Sequence, residues 1–219
     1  MIKSKKMLWT SLVLFIVTTA MTIPFPHKNP LGETVVAMFQ FPIRTVHGLH
    51  YMGITALILF IASLFFLTRS LEKYHVRAVL LAIVIAVFLP SMIVEFYQKT
   101  LATGVDAVYY DEEWSNCDFE MVDGSTLSGE CELPFENYSS DDVEFSVEFY
   151  EKYDFEDDTP MVSLLNDKAP HKVSLMGKER KLVKIKTRID VSEMENHIEG
   201  GSASGVNIII KSGEKMRKL

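Results

Sequence analysis

Three long apolar runs crowd the first hundred residues of this chain, and everything after them is polar and acidic. Residues 7–24, 47–67 and 78–98 each approach the ~20 apolar residues with which a helix crosses the ~30 Å hydrocarbon layer of a bilayer. They read as three transmembrane helices forming a membrane domain over residues 1–102, with residues 103–219 as a separate water-facing domain. Overall composition hides this division, since 48% hydrophobic residues and a net charge of -7 suit an ordinary soluble protein. The first part carries nine Lys and Arg against three acids, the second thirteen against twenty-six. So acidic a domain is repelled by nucleic acid and by anionic headgroups, which excludes both as its partners.

Basic residues in the short connections set the expected orientation. Lys3, Lys5 and Lys6 precede the first run and Arg69, Lys73 and Arg77 separate the second from the third, whereas residues 24–46 hold only Lys28 and Arg44. Counting these charges places the N-terminus in the cytoplasm and the C-terminal domain outside, in a multi-pass protein of a bacterial plasma membrane. The first run also fits a cleaved signal peptide, with a basic start and with Thr18 and Ala20 at cleavage-site spacing. The acidic domain stays outside on either reading.

The apolar runs look like packing elements. Ala78, Ala82 and Ala86 form a small-residue stripe suited to close helix approach, and no ionisable side chain falls at mid-membrane, where an ion path needs one. Pro90 is expected to kink the third helix. In the first loop, the apolar stretch from Leu31 to Phe41 is too short to span and suits a short interfacial helix. His27, His47, His50 and Glu95 are all expected near the outer surface, a set that could ligate zinc or another transition metal. Histidine and glutamate at headgroup level need no metal, however, and the glutamate of a metalloprotease helix is missing between His47 and His50. No cofactor is called for.

Past Lys99 the apolar pattern changes to alternation. Val143, Phe145, Val147 and Phe149 alternate with polar residues, as do Val183, Ile185, Thr187 and Ile189 with Lys184, Lys186 and Arg188. Each is a strand with one buried face. Runs at 117–122, 126–133, 161–165, 172–175 and 206–211 bring the count to about seven, the size of one antiparallel β-sandwich. Residues 191–198 look helical, with Ser192 and Glu195 spaced as a capping box, while 200–205 read as a loop. A three-residue turn at Asp123, Gly124 and Ser125 sets Val122 against Thr126, Phe119 against Gly129 and Cys117 against Cys131. That register puts Cys117, Phe119, Met121, Leu127 and Cys131 on one face and Asp118, Glu120, Ser128 and Glu130 on the other. A disulfide between Cys117 and Cys131 fits an oxidising location, against two alternatives, a pair of buried thiols or a metal pair.

The stretch Cys131-Glu-Leu-Pro-Phe-Glu-Asn137-Tyr-Ser139, leading into Val143 to Tyr150, resembles immunoglobulin-like modules of bacterial cell surfaces, of the cell-adhesion-related type. Val173-Ser-Leu-Met-Gly177-Lys-Glu179, leading into Lys181 to Asp190, is similar to the Leu-x-Pro-Gly-Glu turn of such modules, with Met176 in place of the usual proline. The resemblance covers about 90 residues and implies an immunoglobulin-like sandwich. It carries over no binding residue.

Two charged segments stand out within the domain. Glu151, Asp154, Glu156, Asp157 and Asp158 crowd one loop, and the basic strand bears Lys184, Lys186 and Arg188. The order of a calcium loop is absent from the first, which reads as a solvated loop facing the basic strand. The second is the candidate partner-binding stripe. Asn137-Tyr-Ser139 matches a glycosylation sequon, which has meaning only in a host that glycosylates secreted proteins. With no catalytic signature in sight, the expected function is a membrane-anchored, non-enzymatic binding or assembly module of the cell envelope. Its partners are then the lipid bilayer and another membrane or envelope protein. The alternative is a metal-handling membrane protein or enzyme built on the outer His/Glu set.

Overall fold

The computed structural model describes residues 2–39, 51–151, 160–194 and 197–219. The chain divides into two compact units, Met1–Phe96 and Tyr97–Leu219.

The first unit is helical: α1 (Lys5–Thr22), α2 (Leu31–Met38), α3 (Tyr51–Ser70) and α4 (His75–Thr100), whose last turn belongs to the second unit. Two of these helices, α3 and α4, are long and apolar enough to cross a membrane, not three. The count falls at α1, where the helix begins with Lys5 and Lys6 and only its remainder is apolar. Small polar residues let α1 and α3 approach each other. Ser11 Oγ donates to the Ser63 carbonyl at 2.9 Å and Ser63 Oγ returns a bond to the Ser11 carbonyl at 3.0 Å. One turn further along, Phe15 and Phe60 meet at 6.2 Å. The expected short helix in the first loop is α2. Pro90 lies inside α4, whose helical run continues to Thr100, and Ala82 of the alanine stripe is buried. The basic turn between α3 and α4 is closed by His75, whose ring nitrogens lie 3.0 and 3.1 Å from the Thr68 and Glu72 carbonyls.

The second unit is built from two antiparallel sheets around a single core. Its strands are β1 (Val108–Tyr110), β2 (Asn116–Met121), β3 (Thr126–Asn137), β4 (Val143–Phe149), β5 (His171–Leu175), β6 (Arg180–Asp190), β7 (Gly200–Ser204), β8 (Ile208–Ser212) and β9 (Lys215–Lys218). The first sheet runs β6-β3-β2-β7, with β1 beside the end of β3; the second runs β5-β4-β8-β9. Twelve-residue β3 is its organiser, paired along one edge with β6 and along the other with β2 and then β1. Pro134 sits in the gap where β2 has ended and β1 has not begun, so its missing N–H interrupts neither pairing on that edge.

The hairpin register expected from the sequence is present: Cys117 lies opposite Cys131, Phe119 opposite Gly129, and the two cysteines form a disulfide. Asp123 Oδ1 fixes the turn by accepting from the Ser125 and Thr126 amides at 2.9 and 2.8 Å. These bonds hold its carboxyl below the usual range. Gly129 has no room for a side chain, because a Cβ there would meet Leu165 Cδ2 at 2.7 Å. Phe135 bridges the sheets, packing against Tyr110 at 5.1 Å and against Phe145 of β4 at 5.3 Å.

Other expectations are corrected. Residues 161–165 are not a strand; Val162–Lys168 is a 3-10 helix that lies over the core. Side-chain bonds hold it against the neighbouring stretch of chain. Asn166 exchanges bonds with both Phe149 backbone groups, and Glu151 Oε1 accepts from the Met161 and Ser163 amides. The expected loop at 200–205 is instead β7, paired with β2. The expected helix at 191–198 is absent from the described residues, because Ser192 Oγ donates back to Asp190 at 2.6 Å and does not cap a helix; Glu195 lies outside them. The short strands β1 and β9 escape the alternation pattern altogether.

Candidate functional site

The outer face of the first sheet carries charged side chains in rows. Alternation along β6 buries Ile185, Thr187 and Ile189 and turns Lys184, Lys186 and Arg188 outward. Register then sets one β6 residue, one β3 residue and one β2 residue in line: Arg188, Ser128 and Glu120; Lys186, Glu130 and Asp118; Lys184, Glu132 and Asn116. Each row ends on β7 at Gly200, Ser202 or Ser204.

This placement qualifies the stripe. Lys184 Nζ lies 2.5 Å from Glu132 Oε1 and Lys186 Nζ 2.7 Å from Glu130 Oε2. Glu132 raises the pKa of the Lys184 ammonium through that bond. Two of the three cations are thus matched across the strand, while Arg188 faces Ser128. Further along the rows, Asp118 accepts from Asn116 Nδ2 at 2.8 Å and from Ser202 Oγ at 2.6 Å. The face is therefore graded: cations at the β6 edge, carboxylates in the middle, and small neutral residues at the β7 edge.

The sequon asparagine is enclosed in the fold. Asn137 is 1% exposed, and its Nδ2 donates to the carbonyls of Asp141 and Met176 at 2.9 and 3.0 Å. In the folded domain an amide so buried and so bonded is a structural strut. Asn137 joins the two stretches that carry the immunoglobulin-like resemblance, with Lys178 N–H donating to the Ser139 carbonyl alongside. Gly177 is required here, since a Cβ would lie 2.0 Å from the Ser140 carbonyl oxygen.

Among the described residues, no three His, Cys, Asp or Glu side chains come together to hold a metal ion. His47 and His50 of the expected metal set lie outside those residues, as do residues 152–159 of the acidic loop, and His27 and Glu95 belong to no such group. Arg217 is the feature that the sequence concealed. Its guanidinium is buried and donates to the Val105 and Val108 carbonyls at 2.7 and 2.6 Å, with Lys215 bound to Asp106 at 2.6 Å beside it. Gln98 Nε2 reaches the Asp106 and Val108 carbonyls as well. An arginine in a lysine-rich strand gives no sign of burial until β9 is placed.

Comparison with protein-family models, with curated proteins and with solved structures finds no match to this chain.

Proposed function

We propose that the chain is a membrane-anchored protein whose second unit is an extracytoplasmic, immunoglobulin-like module for binding or assembly within the cell envelope, with no catalytic role. The observation that carries this reading is the exposure of α3 and α4. Only 11% of each apolar window is buried, and Leu57, Ile58, Ile61, Leu80, Leu81, Val84, Val87 and Phe88 all face outward. The core helix of a soluble protein hides such residues; a bilayer solvates them on every side. The Cys117–Cys131 disulfide supports an oxidising compartment for the second unit. The basic turn at Arg69, Lys73 and Arg77 supports a cytoplasmic connection between the two helices. The module reading rests on the graded charged face, which stands on a buried apolar core.

A reporter active only outside the cytoplasm tests the arrangement. Fused after Leu219 it should be active, and fused at Glu72 silent. Activity at Glu72 together with silence after Leu219 overturns the reading.

A further inference from the structure

The first sheet ends in two open edges of opposite character. Among the described residues, β6 pairs as a strand with β3 alone and β7 with β2 alone. An open edge is a template for another strand, and proteins blunt it with charge, proline, a bulge or a cover. The β6 edge has Arg180, Lys181, Lys184, Lys186 and Arg188 along it. The β7 edge has no such guard: it reads Gly-Gly-Ser-Ala-Ser, exposed except at half-buried Ala203.

Strand direction and charge select the partner together. All the pairings in the row β6-β3-β2-β7 are antiparallel, so direction alternates across it. A second copy set beside the first in the same orientation therefore presents its β6 antiparallel to β7, with both charged faces on the same side. The two-fold alternatives are disfavoured. Two β6 edges would bring like cations into opposition, and two β7 edges would draw together the carboxylates of Asp118 and Glu120 from both copies. In the β7-to-β6 arrangement, by contrast, the cations of one copy lie beside Gly200, Ser202 and Ser204, whose short side chains leave the way to Asp118 and Glu120 open.

We propose that the domain assembles head to tail with further copies of this chain, β6 of one copy extending the sheet of its neighbour at β7. The inference rests on reading the domain as an assembly module, and it names the partner. A five-residue edge makes a weak contact, and confinement of the copies to one membrane supplies the effective concentration it needs. Because the contact joins two different surfaces, it builds a ring or an open row.

Cysteine crosslinking of the full chain in its membrane tests this, the native cysteines being already paired. Ser202→Cys combined in one chain with Lys184→Cys, Lys186→Cys or Arg188→Cys should give, for at least one of the three, a ladder of oligomers under mild oxidation. Each single variant should stay monomeric. A dimer from Ser202→Cys alone, a dimer from a single β6 variant, or no ladder from any combination overturns the proposal. Reversing the two of Lys184, Lys186 and Arg188 that do not carry the cysteine to Glu should reduce the ladder at least fivefold, and adding Asp118→Lys with Glu120→Lys should restore it; an unchanged ladder removes the charge steering. A membrane-impermeant maleimide applied to intact cells separates the two claims. Labelling of Ser202→Cys without a ladder sinks self-assembly and leaves the location standing, whereas absence of both labelling and ladder sinks the location.

Discussion

Ser11 and Ser63 each donate to the other's backbone carbonyl, so that α1 and α3 are joined at one level by a reciprocal pair of bonds, with the two hydroxyl oxygens 3.4 Å apart. Both residues are at most 2% exposed. A hydroxyl that bonds across a helix pair takes little space and satisfies itself where no water is available.

Removing either serine should therefore weaken the helix pair. Alanine keeps the backbone carbonyl that accepts the other hydroxyl's bond, so Ser11→Ala and Ser63→Ala should each cost about 0.6 kcal/mol in detergent unfolding and the two losses should nearly add. Unchanged stability in both variants would mean that the two bonds do not form.

The disulfide closes a loop with a sequence separation of 14, and both cysteines are fully buried. The isolated second unit, residues 97–219, should titrate with no free thiol. In the chain-entropy account such a loop is worth ~3 kcal/mol, so replacing both cysteines with alanine should lower the melting temperature by roughly 10 °C. Thiols that react without reductant or denaturant would contradict the pairing.

Thr187 sits on the inner face of β6, 3% exposed, and its hydroxyl finds no partner among the described residues. Burying an unsatisfied hydroxyl costs about 1–3 kcal/mol, and valine has the same shape without it. Thr187→Val should raise the unfolding free energy of the domain by about 1 kcal/mol. A loss of stability would reveal a partner for the hydroxyl.

Tyr110 is buried and donates to the Val206 carbonyl at 2.7 Å, and burial pushes its phenol well above the usual value. Tyr109 and Tyr150 shift the same way, mainly by desolvation. Above about pH 10 the unfolded chain releases these protons while the folded one holds them, so this stability is complete below that pH and falls as pH rises. Tyr110→Phe should flatten the alkaline limb of the stability curve; an unchanged limb would place the sensitivity elsewhere.

The legible parts of this fold are those where a side-chain pattern and its physical cause coincide. The inward face of β3 shows as alternation, and the Cys117–Cys131 pair fixes its register with β2. The illegible parts depend on a neighbour. Gly200 to Ser204 have little preference for a strand and become one because the edge of β2 needs a partner. Val162 to Leu165 have the composition of a strand, yet Glu151 accepts from the Met161 and Ser163 amides at the start of the turn and Asn166 ties its end to the Phe149 backbone. Lys184 and Lys186 are visible as a stripe, but only the β3 pairing reveals the carboxylates beside them. Asn137 shows how a local motif misleads, since nothing in three residues tells that the amide is enclosed.

The bonds from Arg217 to the carbonyls of Val105 and Val108 impose an order on biosynthesis. Val105 leaves the ribosome 112 residues before its guanidinium partner, and the fourth strand of the second sheet, β9, arrives only with that partner. The nascent β-unit thus spends most of its synthesis with one sheet short of a strand and two carbonyls waiting. The second sheet can therefore reach its native form only after Arg217 has been made, and until then Ile208 and Ile210 of β8 lack the strand that flanks them.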